Sequence, residues 1–91
     1  MFSIGGVRHL DNADPSDDSW SNGASIGPAA DGRIKPDLCT FYDAVRTSDR
    51  TGLDGYDVGD SFATFGGTSA ATPIVAGQNA LAIQMFTDGL F

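Results

Sequence analysis

Apolar residues are concentrated at the two ends of the chain, and the middle is polar with short apolar interruptions. Residues 1–7 form a short apolar run that predicts a strand. Residues 38–45, LCTFYDAV, contain β-branched and aromatic side chains and predict a second strand, and residues 61–65 predict a short third one. Residues 8–32 and 47–60 are rich in Asp, Ser, Asn and Gly, which indicates two long loops.

From Ser69 onward the chain is nearly all apolar, and its strongly polar side chains as far as residue 84 are amides. A helix that is apolar almost all round is typical of a protein interior. Pro73 falls in or just past the first turn, where its missing N–H costs least. We therefore predict a buried helix that begins at Ser69. A chain of 91 residues cannot surround such a helix, so its apolar circumference should be partly exposed when this chain is alone.

Composition and charge limit the partners of the chain. The chain has 41% hydrophobic residues, a larger share than intrinsically disordered proteins have, so its composition is that of a globular protein. The net charge is −7, and every acidic residue is an aspartate, which favours turns and caps. This charge argues against nucleic acid and against an anionic membrane surface, while cationic peptides remain compatible with it. No stretch approaches the roughly 20 apolar residues that span a bilayer.

Cysteine, tryptophan and histidine each occur once in the chain. Cys39 is the only cysteine, which excludes an internal disulfide, and we expect it to be a small buried hydrophobe. Trp20 is expected to anchor the first loop onto the body of the protein. His9 is the only histidine and lies far upstream of Ser69.

The segment FGGTSAATPIVAG, residues 65–77, carries the candidate chemistry. Gly66 and Gly67 allow a sharp turn and a close approach by a ligand. Thr68 and Ser69 then stand at the start of the predicted helix. Free N–H groups and the positive end of the helix dipole stabilise an oxyanion there. The pattern is typical of a nucleophilic serine, which also needs a base and an orienting carboxylate.

Two other interpretations of this segment remain open from the residues alone. A serine or threonine before a helix is an ordinary N-cap. The same helix end also suits a phosphate or another anion, although the lysine and the spacing of a P-loop are absent. The segment is not the G-x-S-x-G turn of α/β-hydrolases, because position 71 is alanine.

Three segments, in matching order, resemble the subtilisin-like serine proteases, or subtilases. GTSAATP, residues 67–73, is similar to the family signature G-T-S-x-A-x-P around the nucleophile, and the similarity continues through IVAG. GPAADGRIKPDL, residues 27–38, resembles the family stretch G-P-x-x-D-G-R-I-K-P-D. SIGGV, residues 3–7, resembles the strand that precedes both. Two motifs in the right order make the resemblance specific over nearly the whole chain.

The resemblance implies a role for each residue of the serine segment. Ser69 is expected to be the nucleophile of a serine endopeptidase and to offer its backbone N–H to the oxyanion. Thr68 is expected to support that oxyanion site, and Gly66 and Gly67 to contact substrate. The implied fold is a three-layer α/β/α fold with a mostly parallel sheet and a buried serine-bearing helix. The implied substrate is a polypeptide, catalysis requires no cofactor, and family members are commonly secreted.

The resemblance places the rest of the catalytic triad outside this chain. In the subtilisin order the aspartate and the histidine precede the serine. His9 lies in VRHLDN rather than in an H-G-T context, so it is expected to be a loop or surface histidine. Residues 1–91 are then the C-terminal segment of a peptidase catalytic domain, catalytically silent alone, with the upstream part of that domain as its partner. The alternative is a non-catalytic, subtilase-like binding or structural module.

Two features of the chain are not accounted for by the family pattern. Many subtilases continue with A-P-G after K-P-D, whereas this chain has Thr40, Phe41 and Tyr42, which leaves open the backbone path into the second loop. The aspartate-rich residues 11–18 and 54–60 offer oxygen ligands for a structural calcium, but neither segment matches an EF-hand loop. Solvated turns are the favoured interpretation, and no metal ligand is assigned.

Overall fold

The structure is a computed structural model, and it describes residues 1–20 and 23–90. Its elements in chain order are strands β1 (Ile4–Val7), β2 (Leu38–Phe41), β3 (Val45–Ser48) and β4 (Ser61–Phe65), with a 3₁₀ turn at Gly52–Asp54 before β4, and finally helix α1 (Thr68–Thr87). Helix α1 packs against β1 and β2. This arrangement is compatible with the predicted α/β class.

Strands β1 and β2 are parallel neighbours, in a register that pairs Gly5 with Cys39 and Val7 with Phe41. Asp37 fixes the start of this pair, because its carboxylate accepts hydrogen bonds from the N–H and the hydroxyl of Ser3 at 2.7 and 2.9 Å. Lys35 Nζ lies 2.7 Å from both carboxylate oxygens. The hydrogen bond from Lys35, followed by those from Ser3, holds the pKa of Asp37 well below its usual value.

Strands β3 and β4 form a separate antiparallel pair with a register irregularity between Val45 and Thr47. The loop that joins them closes where the N–H of Asp49 donates to the carbonyl of Asp60 at 2.8 Å. The Asp49 carboxylate also accepts the N–H groups of Tyr56 and Asp57 at 2.9 and 2.8 Å. The described strands therefore form one parallel and one antiparallel pair. The mostly parallel sheet and the three-layer fold remain predictions for a larger domain.

The strand predicted over residues 38–45 ends as β2 at Phe41 and is followed by a corner at residues 42–44. Strand β3 then begins at Val45 and extends into residues 47–48, which were predicted to belong to the second loop. Ala44 has a φ of 47°, in the left-handed region that a β-strand cannot contain. The chain turns there and enters the second sheet instead of continuing the first. The predicted strand over residues 61–65 is confirmed as β4, and the predicted strand at residues 1–7 is confirmed as β1.

Helix α1 begins one residue earlier than predicted and is covered on one side only. Its buried residues are Ala70, Ala71 and Val75. Large apolar side chains of its second half are exposed: Leu81, Ile83, Met85 and Phe86, with Leu90 just beyond its end. The expectation of a buried helix is therefore not met within this chain, because one two-stranded sheet covers a single stripe of a helix that is apolar all round. Partial exposure is what we predict for the chain alone.

The dimensions of the molecule also indicate that its apolar residues are incompletely buried. The radius of gyration is 15.8 Å, whereas a compact domain of this length has one of about 12 Å. The accessible surface is 6779 Å², against roughly 5000 Å² for a compact monomer of this mass. In the part of the chain that the structure describes, no helix is long and apolar enough to cross a membrane.

Two predictions about single side chains are wrong. Cys39 is exposed rather than buried, because its neighbour in the register is Gly5, which has no side chain to cover it. Trp20 is 62% exposed and does not anchor its loop. Its ring lines an open cleft of about 350 Å³ together with Ile26, Pro28 and Ile34.

Candidate active site at the start of helix α1

Ser69 is the second residue of α1, and its side chain is exposed. Strand β4 ends at Phe65, and Gly66 and Gly67 form the turn between that strand and the helix. Gly67 has φ 79° and ψ 175°, a conformation that is essentially restricted to glycine. A Cβ on Gly66 would lie 2.9 Å from the carbonyl oxygen of Tyr42. Both glycines are therefore required by the backbone path, as the sharp turn in the sequence predicts.

The N-cap of α1 is Gly67, so neither Thr68 nor Ser69 is the capping residue. The interpretation of Ser69 as a plain N-cap is therefore wrong. The Gly67 carbonyl accepts the N–H of Ala70 at 2.9 Å and that of Ala71 at 3.4 Å. Within residues 1–20 and 23–90, the N–H groups of Thr68 and Ser69 have no hydrogen-bond acceptor.

The electrostatics of this helix end favour a negative charge beside Ser69. The first turn contains no acidic residue and no side-chain cap, so nothing in it offsets the positive end of the dipole. Pro73 has no N–H to donate to the carbonyl of Ser69, one turn earlier. The Thr72 hydroxyl donates to the Thr68 carbonyl at 2.8 Å. The two free N–H groups are thus suited to bind an oxyanion.

The small residues that follow Ser69 allow the first turn of α1 to pack closely against the rest of the chain. Ala70 and Ala71 are 1% and 0% exposed. A larger side chain at either position would push the first turn away from the elements beneath it. The serine faces solvent while the next two residues pack inward, which leaves room for an extended ligand beside the hydroxyl.

The turn is tied to the rest of the chain through the corner at residues 42–44. The N–H of Gly67 donates to the carbonyl of Tyr42 at 2.6 Å. The N–H of Tyr42 donates in turn to the carbonyl of Val7, at the end of β1, at 3.1 Å. The position of the serine turn therefore depends on this corner.

His9 lies at the same corner and not beside Ser69. Its ring is only 15% exposed, its Nε2 is 2.7 Å from the carbonyl oxygen of Asp43, and it packs on the Phe41 ring with centroids 4.5 Å apart. The expectation of a loop or surface histidine is met in its first form, because His9 lies in a loop, although its ring is largely covered. Among the described residues, His9 makes no hydrogen bond to Ser69.

The Asp43 carboxylate accepts two backbone hydrogen bonds at this corner, from the N–H of His9 at 2.9 Å and of Leu10 at 3.1 Å. Burial acts to raise the pKa of Asp43, but these hydrogen bonds and the nearby His9 lower it, so the pKa lies below its usual value.

Sequence reasoning missed Tyr42 and Asp43. Asp43 is 34 residues from His9, so no local spacing connects them. The only sequence feature that pointed to this corner was the departure from the family pattern A-P-G after K-P-D.

The aspartate-rich loops act as hydrogen-bonded turns in the structure. Asn12 accepts the N–H of Asp14 at 2.7 Å, and Asp14 accepts the N–H of Ser16 at 2.9 Å. The hydrogen bonds from Ser16 lower the pKa of Asp14. Over the described ranges, no group of three or more His, Cys, Asp or Glu side chains is arranged to hold a metal ion.

Comparison with known proteins gives two matches. The model of the subtilase family, Peptidase S8, matches residues 1–90. Serine protease AprX of Bacillus subtilis (strain 168) is 30% identical over 101 residues, which cover 97% of this chain and 21% of the relative. The chain therefore spans about a fifth of the length of the curated relative that it matches. No solved structure matches the chain.

Proposed function

The chain belongs to the subtilase family, and from this premise we propose that it carries the nucleophile, Ser69, of a serine endopeptidase. The observation that supports the proposal is the combination at the start of α1. An exposed serine stands in the first turn, beside two N–H groups that lack an acceptor among the described residues.

In the proposed mechanism Ser69 Oγ attacks the carbonyl carbon of a peptide bond. A histidine outside residues 1–91 takes the hydroxyl proton and later returns it to the leaving amine. The carbonyl oxygen becomes an oxyanion and binds the N–H of Ser69, with Thr68 supporting the site. Water then hydrolyses the acyl-enzyme. Gly66 and Gly67 expose backbone to which the substrate chain binds, and no cofactor takes part.

The base is assigned outside residues 1–91 because His9 is already engaged. Its Nε2 contacts the Asp43 carbonyl and its ring lies on Phe41. Residues 1–91 are thus proposed as one segment of a catalytic domain whose other part supplies the aspartate and the histidine. The same reasoning gives a polypeptide substrate and, by analogy with the family, a secreted protein.

A fluorophosphonate probe tests this proposal directly. We expect the complete protein to be labelled once per molecule at Ser69, as identified by mass spectrometry of the labelled peptide. Ser69→Ala should abolish labelling, and Ser61→Ala, which alters a serine on β4, should not. Labelling at another residue, or none in a correctly folded complete protein, would refute the nucleophile assignment and favour a non-catalytic module.

A further inference from the structure

The corner at residues 42–44 connects two parts of the chain that are distant in sequence. On one side its Tyr42 carbonyl accepts the N–H of Gly67 at 2.6 Å, directly before the serine turn. On the other side Asp43 receives the loop that contains His9. A Cβ on Gly66 would also lie 2.9 Å from that carbonyl, so the corner and the turn are in close contact.

Three hydrogen bonds hold Asp43 to its neighbours on this loop. The carboxylate accepts the N–H of His9 and of Leu10, and the Asp43 carbonyl lies 2.7 Å from His9 Nε2. Arg8 adds a longer ion pair, with Nε at 3.9 Å. The imidazole must carry its proton on Nε2 to donate to a carbonyl, which leaves Nδ1 as the free nitrogen.

The corner needs such a restraint because one of its residues has an energetically unfavourable backbone conformation. Ala44 has a φ of 47°, which alanine adopts only when the surrounding structure imposes it. Without the Nε2 contact of His9, we expect the Asp43 carbonyl, and with it the neighbouring Tyr42 carbonyl, to reorient. The N–H of Gly67 then loses the acceptor that sets the position of Thr68 and Ser69.

We propose that His9 and Asp43 are positioning residues that hold the Tyr42 carbonyl against Gly67 and so orient Ser69 for attack. The inference rests on the proposed function of Ser69. It assigns a task to the segment in which this chain departs from the A-P-G pattern. His9 acts through the backbone and takes no part in proton transfer to Ser69.

The test separates orientation from stability in the complete protein. His9→Ala removes the Nε2 donor, and His9→Gln retains an N–H donor near the same position. Misplacement of a nucleophile by about 1 Å costs up to about 10²-fold. We expect His9→Ala to lower kcat per fluorophosphonate-labelled site about tenfold or more, with KM within about twofold. His9→Gln should recover most of the loss.

Asp49→Asn is the matched control for Asp43→Asn. Both carboxylates accept backbone N–H groups, but those that Asp49 accepts belong to Arg50, Tyr56 and Asp57 in the loop between β3 and β4. We expect both variants to lower Tm, and only Asp43→Asn to lower kcat per labelled site. If Asp43→Asn does not fold, the pair of His9 variants decides the question.

Two outcomes would overturn the inference. One is a lower Tm with unchanged kcat per labelled site in both His9→Ala and Asp43→Asn. The other is an equal loss of kcat in His9→Ala and His9→Gln. These results differ from failure of the proposed function, because in that case the parent protein is not labelled at Ser69 or Ser69→Ala itself retains activity.

Discussion

The first turn of α1 and the second half of the same helix differ in what holds them in place. The first turn is fixed by Gly67 and by the hydrogen bond to Tyr42, and Ala70 and Ala71 are buried beneath it. The second half exposes Ile83 and Phe86 by 66% and 76%, beside an open cleft of about 510 Å³. Contacts within the described part of the chain therefore hold the reactive end in place, whereas most of the apolar end is not covered by that part of the chain.

This difference separates two properties that one helix often combines. The geometry of the serine turn comes from a short backbone path through β4, two glycines and the corner at residues 42–44. The stability of the helix in water comes from burial of its apolar side chains. The described part of the chain contains the residues that shape the serine turn, but it buries only part of the apolar surface of the helix.

The largest expected effect is at the reactive end. Ser69→Ala in the complete protein should reduce kcat by on the order of 10⁶, because the acyl-enzyme cannot form. Leu81→Ala, in the second half of the helix, serves as control and should change kcat little. Steady-state hydrolysis of a peptide substrate measures both. Ser69→Ala activity within tenfold of the parent would rule out the nucleophile.

The second prediction concerns the apolar end. Phe86→Ala in residues 1–91 alone should change the free energy of unfolding by less than about 0.5 kcal/mol, because the side chain is exposed. In the complete protein, where we propose that the rest of the domain covers this face, the same change should cost about 3–5 kcal/mol. Denaturant titration of both proteins gives the comparison. Equal small effects in both would show that the face stays exposed.

The third prediction tests the glycine turn. Gly67→Ala places a side chain at φ 79° and should cost about 1–3 kcal/mol of stability, together with a lower kcat. Gly32→Ala is the matched control, since Gly32 has φ 84° but lies in the first loop with no atom within 4 Å of the added Cβ. It should lower stability without changing kcat. A kcat loss of the same size in both variants would contradict a specific role for the turn.

The smallest expected effect is on the acid side of the stability profile. The pKa values of Asp37 and Asp43 lie below the ordinary aspartate value of 3.8, so the folded state favours their ionised forms. Their contribution to stability is present above about pH 4 and is lost as the pH falls through the lower, folded pKa values. Thermal unfolding from about pH 6 to about pH 2 should show a steeper acid loss for the parent than for Asp43→Asn. Parallel curves would mean that this carboxylate is not preferentially ionised in the folded state.

The sequence by itself determined the local features that depend on neighbouring residues. Gly-Gly before a serine and an alanine-rich start predicted a strand, a turn and a helix, and the structure has these as β4, Gly66–Gly67 and α1. The family assignment was predictable from the same residues, because its motifs are contiguous.

Only the tertiary structure decided the corner at residues 42–44, the contact between His9 and Asp43, and the exposure of Cys39 and Trp20. Each of these features depends on contacts, or on their absence, between residues that are distant in the sequence. No periodicity places His9 against a residue 34 positions away, and no composition shows that Cys39 has Gly5 as its neighbour. Hydrophobicity predicted that α1 favours burial, but burial also requires a covering surface, and the described part of this chain covers only one side of the helix.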